Sequence, residues 1–480
     1  MYKYISTLFL LTLTLSATDS RDLVIEKLLK EVQLLQQSVS ELQQNQLIVQ
    51  KKQNESEKYV DELYDFAETT ETRTLEDKLK FGVTFKTSLD NFSKKYVDGH
   101  TVDNNNMWSN KLMLNIKADV TSDMKFYSRL SMFKYWGNGV KHSSSNYDNM
   151  QGRVPSDSSL YVERAYLDYL FNKKGYIPMA ITLGRQPSAD GPSHQFKSNT
   201  SRKATYSALL YDGASDGMVF TFDVSKVIFN RNSFLRIGYA KGFGYSENVD
   251  NVLNAYVGAS NNDLKDTNVY GVFFDTTIPN IKQSLIQLSY SKINDIVANQ
   301  LDTDTTENKN IGDVNMFGAM VEISNLKNYN IDMFLHYGYI KTNPNFENYM
   351  NYGGLLNSLN DTSSKSADAI WVGTRYGFGD KQKYKLGFEY NHGSKNWVSL
   401  THGSFDVYNK LATRGDAYEA YIMYKINRYA NLRLGYIKLN YNYSGSGSFV
   451  GESKDISDVS NLTNELKELQ SIYFKMSLNY

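Results

Sequence analysis

From Leu79 to the last residue the chain repeats one pattern: a run of eight to fourteen residues with apolar side chains at every second position, then a polar link. Trp108 to Val120 shows it clearly. Leu112, Leu114, Ile116, Ala118 and Val120 share one face, and Lys111, Asn115, Lys117 and Asp119 share the other. Period-two alternation is the mark of a strand with one apolar and one polar face. Strands are expected near 79–86, 108–120, 125–136, 159–171, 179–186, 213–224, 233–243, 267–278, 283–294, 313–324, 329–342, 367–378, 382–392, 416–426, 430–441 and 467–480, about sixteen in all. Their links alternate in length. Short ones such as Thr121–Asp123, Pro279–Lys282, Gly379–Lys381 and Asn427–Tyr429 follow the even strands. Links rich in Asn, Asp, Ser and Gly, at 90–107, 138–158, 187–212, 244–266, 295–312, 343–366, 393–415 and 442–466, follow the odd ones.

A β-sandwich would bury the apolar faces just as well, so the face pattern alone leaves the choice open. Short turns alternating with long loops point to an antiparallel transmembrane β-barrel of about 16 strands (14–18), with periplasmic turns and external loops. Composition agrees. The 37 Tyr and 24 Phe suffice for aromatic girdles, and only 6 Pro would interrupt the ladders. Without cysteine, neither disulfides nor thiolate metal sites enter the argument. A mean hydropathy of -0.49 and no run of roughly 18 apolar residues exclude a helical membrane protein. Net charge is zero, with nothing basic enough for nucleic acid.

The N-terminus reads as an export signal. Lys3 precedes an apolar run from Ile5 to Leu15, then the small residues Ser16 and Ala17, which gives a signal peptide over 1–17. At the other end, Ile472, Phe474, Met476, Leu478 and Tyr480 share one strand face. This resembles the closing strand of bacterial outer-membrane barrels, whose aromatic last residue is read by the insertion machinery. The resemblance implies residence in the outer membrane of a Gram-negative cell, in contact with its lipid, with Phe474, Met476, Leu478 and Tyr480 as the insertion signal.

Between the two lies a heptad seam over 22–75. Ile25, Val32, Val39 and Val60 take a positions, and Leu28, Leu35, Leu42, Val49 and Leu63 take d positions, with Gln46 and Gln53 polar in the middle. The expected element is an α-helical coiled-coil stalk in the periplasm, about 40 residues reaching roughly 60 Å and carrying 14 acids against 8 bases over 18–78. A seam this narrow implies a homo-oligomer. β-Branched a positions lean towards a dimer, and porin analogy favours a trimer.

With the apolar faces turned to lipid, the barrel at 79–480 would present Lys111, Lys117, Arg129, Arg164, Asp168, Arg236, Asp332, Arg375, Glu389 and Arg433 to the pore. About sixteen strands enclose more space than side chains fill, so an open, water-filled lumen is expected. The link between strands 5 and 6 contains Gly184-Arg185-Gln186-Pro187-Ser188-Ala189-Asp190-Gly191-Pro192, stiffened by two prolines. In the general porin family, which the architecture resembles, this third loop folds inward. Arg185, Asp190, His194 and Lys197 are then candidates to meet the solute, opposite Arg129 and Arg164; the alternative is an ordinary surface loop. The combination of signal, stalk, barrel and this loop is also similar to an uncharacterised, porin-like outer-membrane family of the epsilon group of proteobacteria, which carries no assigned activity.

The six histidines stand in no nucleophile-elbow or zinc-protease motif, so neither an enzyme, a cofactor nor a metal is expected. Passive diffusion of small hydrophilic solutes or ions is the leading expectation. A tether to the cell wall through the stalk, and a substrate-specific channel or receptor built on the long loops, are the alternatives.

Overall fold

The computed structural model describes residues 79–137, 153, 155–186, 191–202, 204–213, 215–228, 231–243, 266–281, 283–301, 306–345, 353–400, 406–458 and 464–480. The expected signal peptide and coiled-coil stalk lie outside the described residues.

Sixteen strands, each antiparallel to its neighbours, close into one barrel in sequence order. They are β1 (Leu79–Tyr96), β2 (Thr101–Asp119), β3 (Met124–Tyr135), β4 (Tyr161–Phe171), β5 (Met179–Arg185), β6 (Asp216–Asp223), β7 (Phe234–Phe243) and β8 (Thr267–Thr276), followed by β9 (Ser284–Leu301), β10 (Thr306–Ile323), β11 (Ile331–Pro344), β12 (Ser366–Phe378), β13 (Tyr384–Gly393), β14 (Gly415–Lys425), β15 (Ala430–Tyr441) and β16 (Leu466–Asn479). The seam joins β1 to β16, with Thr84 opposite Asn479. There Tyr480 N–H donates to Val83 O (2.8 Å) and Val83 N–H to Tyr480 O (2.7 Å).

Two expected long loops are strand instead. β1 runs on to Tyr96 and β2 begins at Thr101, so a four-residue turn replaces most of the link read at 90–107; β9 and β10 likewise extend into the link read at 295–312. Asp103, Asn104, Asn105 and Asn106 are exposed on both faces. A hairpin wet on both sides loses the apolar alternation while keeping its ladder, which is why it reads as loop.

Burial follows the two-residue period. Along β12 the residues alternate exposed and buried without a break from Ser366 to Phe378. Outward positions are apolar and open: Leu434 is 50% exposed and Ile472 58%. Aromatic rings band this surface at both ends. At the short-turn end Tyr376, Phe378, Tyr384 and Tyr424 follow one another at centroid spacings of 6.0, 5.5 and 5.2 Å, and Tyr429 meets Tyr480 at 5.6 Å. At the other end Tyr239 meets Tyr270 (5.4 Å) and Tyr390 meets Tyr418 (5.2 Å). An apolar band between two aromatic girdles is how a barrel meets lipid. No helix among the described residues is long and apolar enough to cross a membrane.

Inward positions alternate large and small across strands. Phe334 lies opposite Gly373, Tyr421 opposite Gly387 and Tyr473 opposite Gly435. A Cβ on these glycines would stand 2.4, 2.2 and 2.3 Å from the facing ring. Each glycine therefore makes room for an aromatic ring lying flat on the wall.

Candidate functional site: the barrel interior

The third loop enters the barrel. Residues 191–197 with most of its short helix α1 (His194–Ser198), and Ala204, 207–210 and Asp212 after it, are buried, and their partners are inward residues of the wall. Ser193 bonds Glu322 and lies 2.9 Å from His336 Nε2. Gln195 Nε2 donates to Glu322 (2.9 Å), and Ser207 meets His336 Nδ1 at 2.7 Å. Lys197 reaches Glu419 (3.0 Å), and Arg375 and Arg433 donate to the carbonyls of Phe196 and Lys197. Gly191 allows the loop to fold on itself, since a Cβ there would sit 2.1 Å from Tyr206 O.

A second loop, between β13 and β14, follows it in. Trp397 donates its indole N–H to Leu411 O (2.8 Å), and Leu400 pairs in parallel with Tyr211 of the third loop. Lys410, 1% exposed, sits between Glu389 (2.5 Å) and Glu419. Burial works against its ammonium charge, yet the two carboxylates hold its pKa above the ordinary lysine value. Arg414 ties this loop to the last one through Ser444 O (2.8 Å) and Ser448 O, and Arg153 reaches Asp212 from the loop after β3 (3.1 Å). Leu209, Leu210, Trp397 and Leu411 of the loops then pack on Phe334, Ile340 and Trp371 of the wall as one apolar core.

The expectation of a lumen open throughout is corrected by this core. Wall side chains alone do not fill sixteen strands, but loops carrying Leu and Trp inward occupy the interior along β10–β14. The described part of the third loop packs against the inward side of the wall.

Every residue expected to line the pore sits on an inward register position, and most are engaged. Lys111 (3.5 Å), Arg129 (3.3 Å) and Arg164 (3.6 Å) surround Glu163. Lys117 lies 4.0 Å from Asp119, Arg236 2.6 Å from Asp275, and Asp332 2.6 Å from Arg375. Asp168 accepts the Thr182 hydroxyl (2.6 Å). Among the loop candidates, His194 and Lys197 are buried against the wall. Arg185 ends β5 and binds Asp216 (3.0 Å) on the opposite parity from Thr182, so it does not face the constriction. Asp190 lies outside the described residues. Arg129 and Arg164 are held by Glu163 rather than ranged against α1.

Sequence reasoning missed Glu163, Glu322, Glu419 and Lys410. Glu163 is turned inward by a β-bulge, since Arg129 faces Arg164 and Leu130 faces Val162 with Glu163 between. Its signal was absent; Glu322 and Glu419 carried one, being acids of inward parity within β10 and β14.

A void lies on the other side of the third loop, a cavity of about 280 Å³ against β4–β10. Asp168, Thr182, Thr221 and Arg236 contribute from the wall, and Thr205 and Tyr206 from the loop. Burial pushes the Tyr206 phenol up to about 12, so it stays neutral. Among the described residues no cluster of three or more His, Asp or Glu could hold a metal ion.

Comparison with known proteins gives a family. Residues 101–480 match a family described as proteins of unknown function, DUF3373. Similar solved structures include in-vitro folded OmpT, an outer membrane protein of Vibrio cholerae (12% identity, 86% of this chain, 99% of that chain, TM-score 0.41). A form of the same protein described as a trimer covers 83% of this chain and 99% of its own at 12% identity (TM-score 0.41). Salmonella typhi OmpF in complex with daunomycin covers 85% and 100%, also at 12% identity (TM-score 0.44). No curated protein matches the chain.

Proposed function

We propose that this chain, which belongs to the DUF3373 family of proteins of unknown function, is an outer-membrane porin: a narrow channel for passive diffusion of small hydrophilic solutes. One observation carries the reading. The third loop crosses the interior of a closed sixteen-strand barrel and leaves, against the β4–β10 wall, a cavity of about 280 Å³ in which hydroxyl, carboxylate and guanidinium groups stand among aromatic and aliphatic side chains. A cavity with polar groups beside an inward loop suits water and small polar solutes, and a wall holding both charge signs selects weakly between ions. The apolar band and its two aromatic girdles support placement in a bilayer. Because β1 begins and β16 ends at the short-turn side, a stalk ahead of β1 would emerge in the periplasm. Insertion by the barrel machinery and assembly into a homo-oligomer, a trimer by preference, belong to the same proposal.

The interlocked mouth favours a second reading, a channel or receptor selective for one ligand. Loops from five different hairpins meet there through Arg153–Asp212, Leu400–Tyr211, Arg414–Ser444 and Leu355–Val450.

Single-channel recording of the refolded protein in a planar bilayer, with salt-gradient reversal potentials, tests the proposal. Small ohmic steps are expected, grouped in threes if the assembly is trimeric. Silence from a protein shown to be folded and inserted would refute the channel.

A further inference from the structure

The cavity beside the third loop has a more specific chemistry than a passage for ions, and we infer that it is a binding subsite for a neutral, polyhydroxylated solute of about monosaccharide size. The inference deepens the channel reading and rests on it for its biological sense, though not for its test.

Its walls are aromatic. Tyr206 of the loop packs edge-on to Phe273 of β8, with centroids 4.5 Å apart, and lies 5.1 Å from Tyr211; Tyr166 of β4 lines the same cavity. Such rings offer broad apolar faces at small conformational cost, matched to the C–H face of a sugar ring. Polar groups stand between them. Thr182, Thr205 and Thr221 supply hydroxyl or carbonyl partners. Asp168 accepts one bond from Thr182 (2.6 Å), and a carboxylate has room for about four. A ring bearing several hydroxyls satisfies both sets of groups together.

Charge argues against an ion. Arg236, the guanidinium in the lining, is committed to Asp275 at 2.6 Å, and Asp275 also receives Gln287 (2.8 Å) and Arg202 (3.4 Å). An anion would therefore have to compete with Asp275 for Arg236 and would face the Asp168 carboxylate. A cation could pair with Asp168 only by shedding its hydration among aromatic rings. A neutral solute loses no ionic hydration on entering. The volume, about 280 Å³, sits near the lower end of small-ligand sites, roughly 300–1,000 Å³.

The test is equilibrium binding of D-glucose to the full chain folded in detergent, read by intrinsic fluorescence, beside glucosamine as cationic probe and gluconate as anionic probe. Saturable glucose binding stronger than either charged analogue is expected. Tyr206→Ala and Asp168→Asn should each weaken it by about tenfold, whereas Tyr206→Phe keeps the ring face and retains most of it. If Tyr206→Ala fails to fold, Asp168→Asn and Tyr206→Phe still carry the comparison. Glucose binding without conductance upholds the subsite while removing the channel. Conductance without glucose binding, or tighter binding of a charged analogue, overturns the subsite and leaves the channel standing.

Discussion

Lys410→Met should release the inward loops. The Lys410 ammonium lies 2.5 Å from Glu389 Oε2 and also bonds Glu419, and all three residues are 1% exposed. The two carboxylates differ in what they keep when it goes. Glu419 retains Lys197 at 3.0 Å and the Tyr473 hydroxyl; among the described residues Glu389 retains the Trp371 indole N–H at 3.1 Å alone, and its second oxygen accepts no hydrogen bond from them. A buried carboxylate stripped of its cation costs about 3–5 kcal/mol. The reference is Lys173→Met, which removes an ion pair to Asp123 with both side chains 41% exposed, a loss of about 0–1 kcal/mol. Lys410 stands over the Trp371 ring and Trp397 bonds the carbonyl of the adjacent Leu411, so a urea titration in lipid vesicles followed by tryptophan emission reads the change. The transition for Lys410→Met should fall well below that for Lys173→Met, and Lys410→Met with Glu389→Gln should recover much of the difference. The pH dependence has a definite sign. A base held up in the folded state contributes stability that is complete below its unfolded pKa and lost as pH rises through the folded one. The gap between wild type and Lys410→Met should therefore stay constant from about pH 7 to about pH 10 and close only at higher pH. Equal transitions for Lys410→Met and Lys173→Met would refute the reasoning.

Two further outcomes follow from the wall itself. Leu434→Arg puts a charge on the outward face of β15, where Leu434 is 50% exposed, and should destabilise the barrel by about 2–4 kcal/mol in vesicles; an unchanged urea midpoint would mean that this face does not meet lipid. Gly387→Leu forces a side chain into the Tyr421 ring, since even a Cβ would stand 2.2 Å from it, and should cost about 1–3 kcal/mol, with Gly387→Leu/Tyr421→Ala less affected than Gly387→Leu alone.

The strands were legible because membrane-crossing segments must keep one face apolar, and β3, β12 and β15 end within two residues of where alternation ends. The outer halves of β1 and β2 were not, because their hydrogen-bonded ladder continues where apolar side chains stop. Inward charges such as Arg375 and Arg433 followed from parity alone, whereas Glu163 could not, since a bulge breaks parity. What escaped was the extent to which the interior is filled. The link after β5 was expected inward only through its resemblance to porins, and the link after β13 read as external, yet Ala208-Leu209-Leu210 and Trp397-Val398 are apolar runs inside them. Those short runs were the signal: a loop wholly in water has no use for buried leucine and tryptophan.

The seam between β1 and β16 also dictates an order of assembly. Every other neighbouring pair is joined by a local link and can zip as a hairpin, but Thr84 must find Asn479 across the whole barrel. Closing a chain of about 400 residues costs about 5 kcal/mol in entropy, against about 1 kcal/mol for a four-residue turn, so this pairing comes last. Until then the sheet has two bare edges, each offering a full row of unpaired backbone groups to any passing strand. The interval between the making of β1 and the arrival of β16 is when this molecule is most exposed to wrong partners, and whatever shields those two edges decides how many chains become barrels.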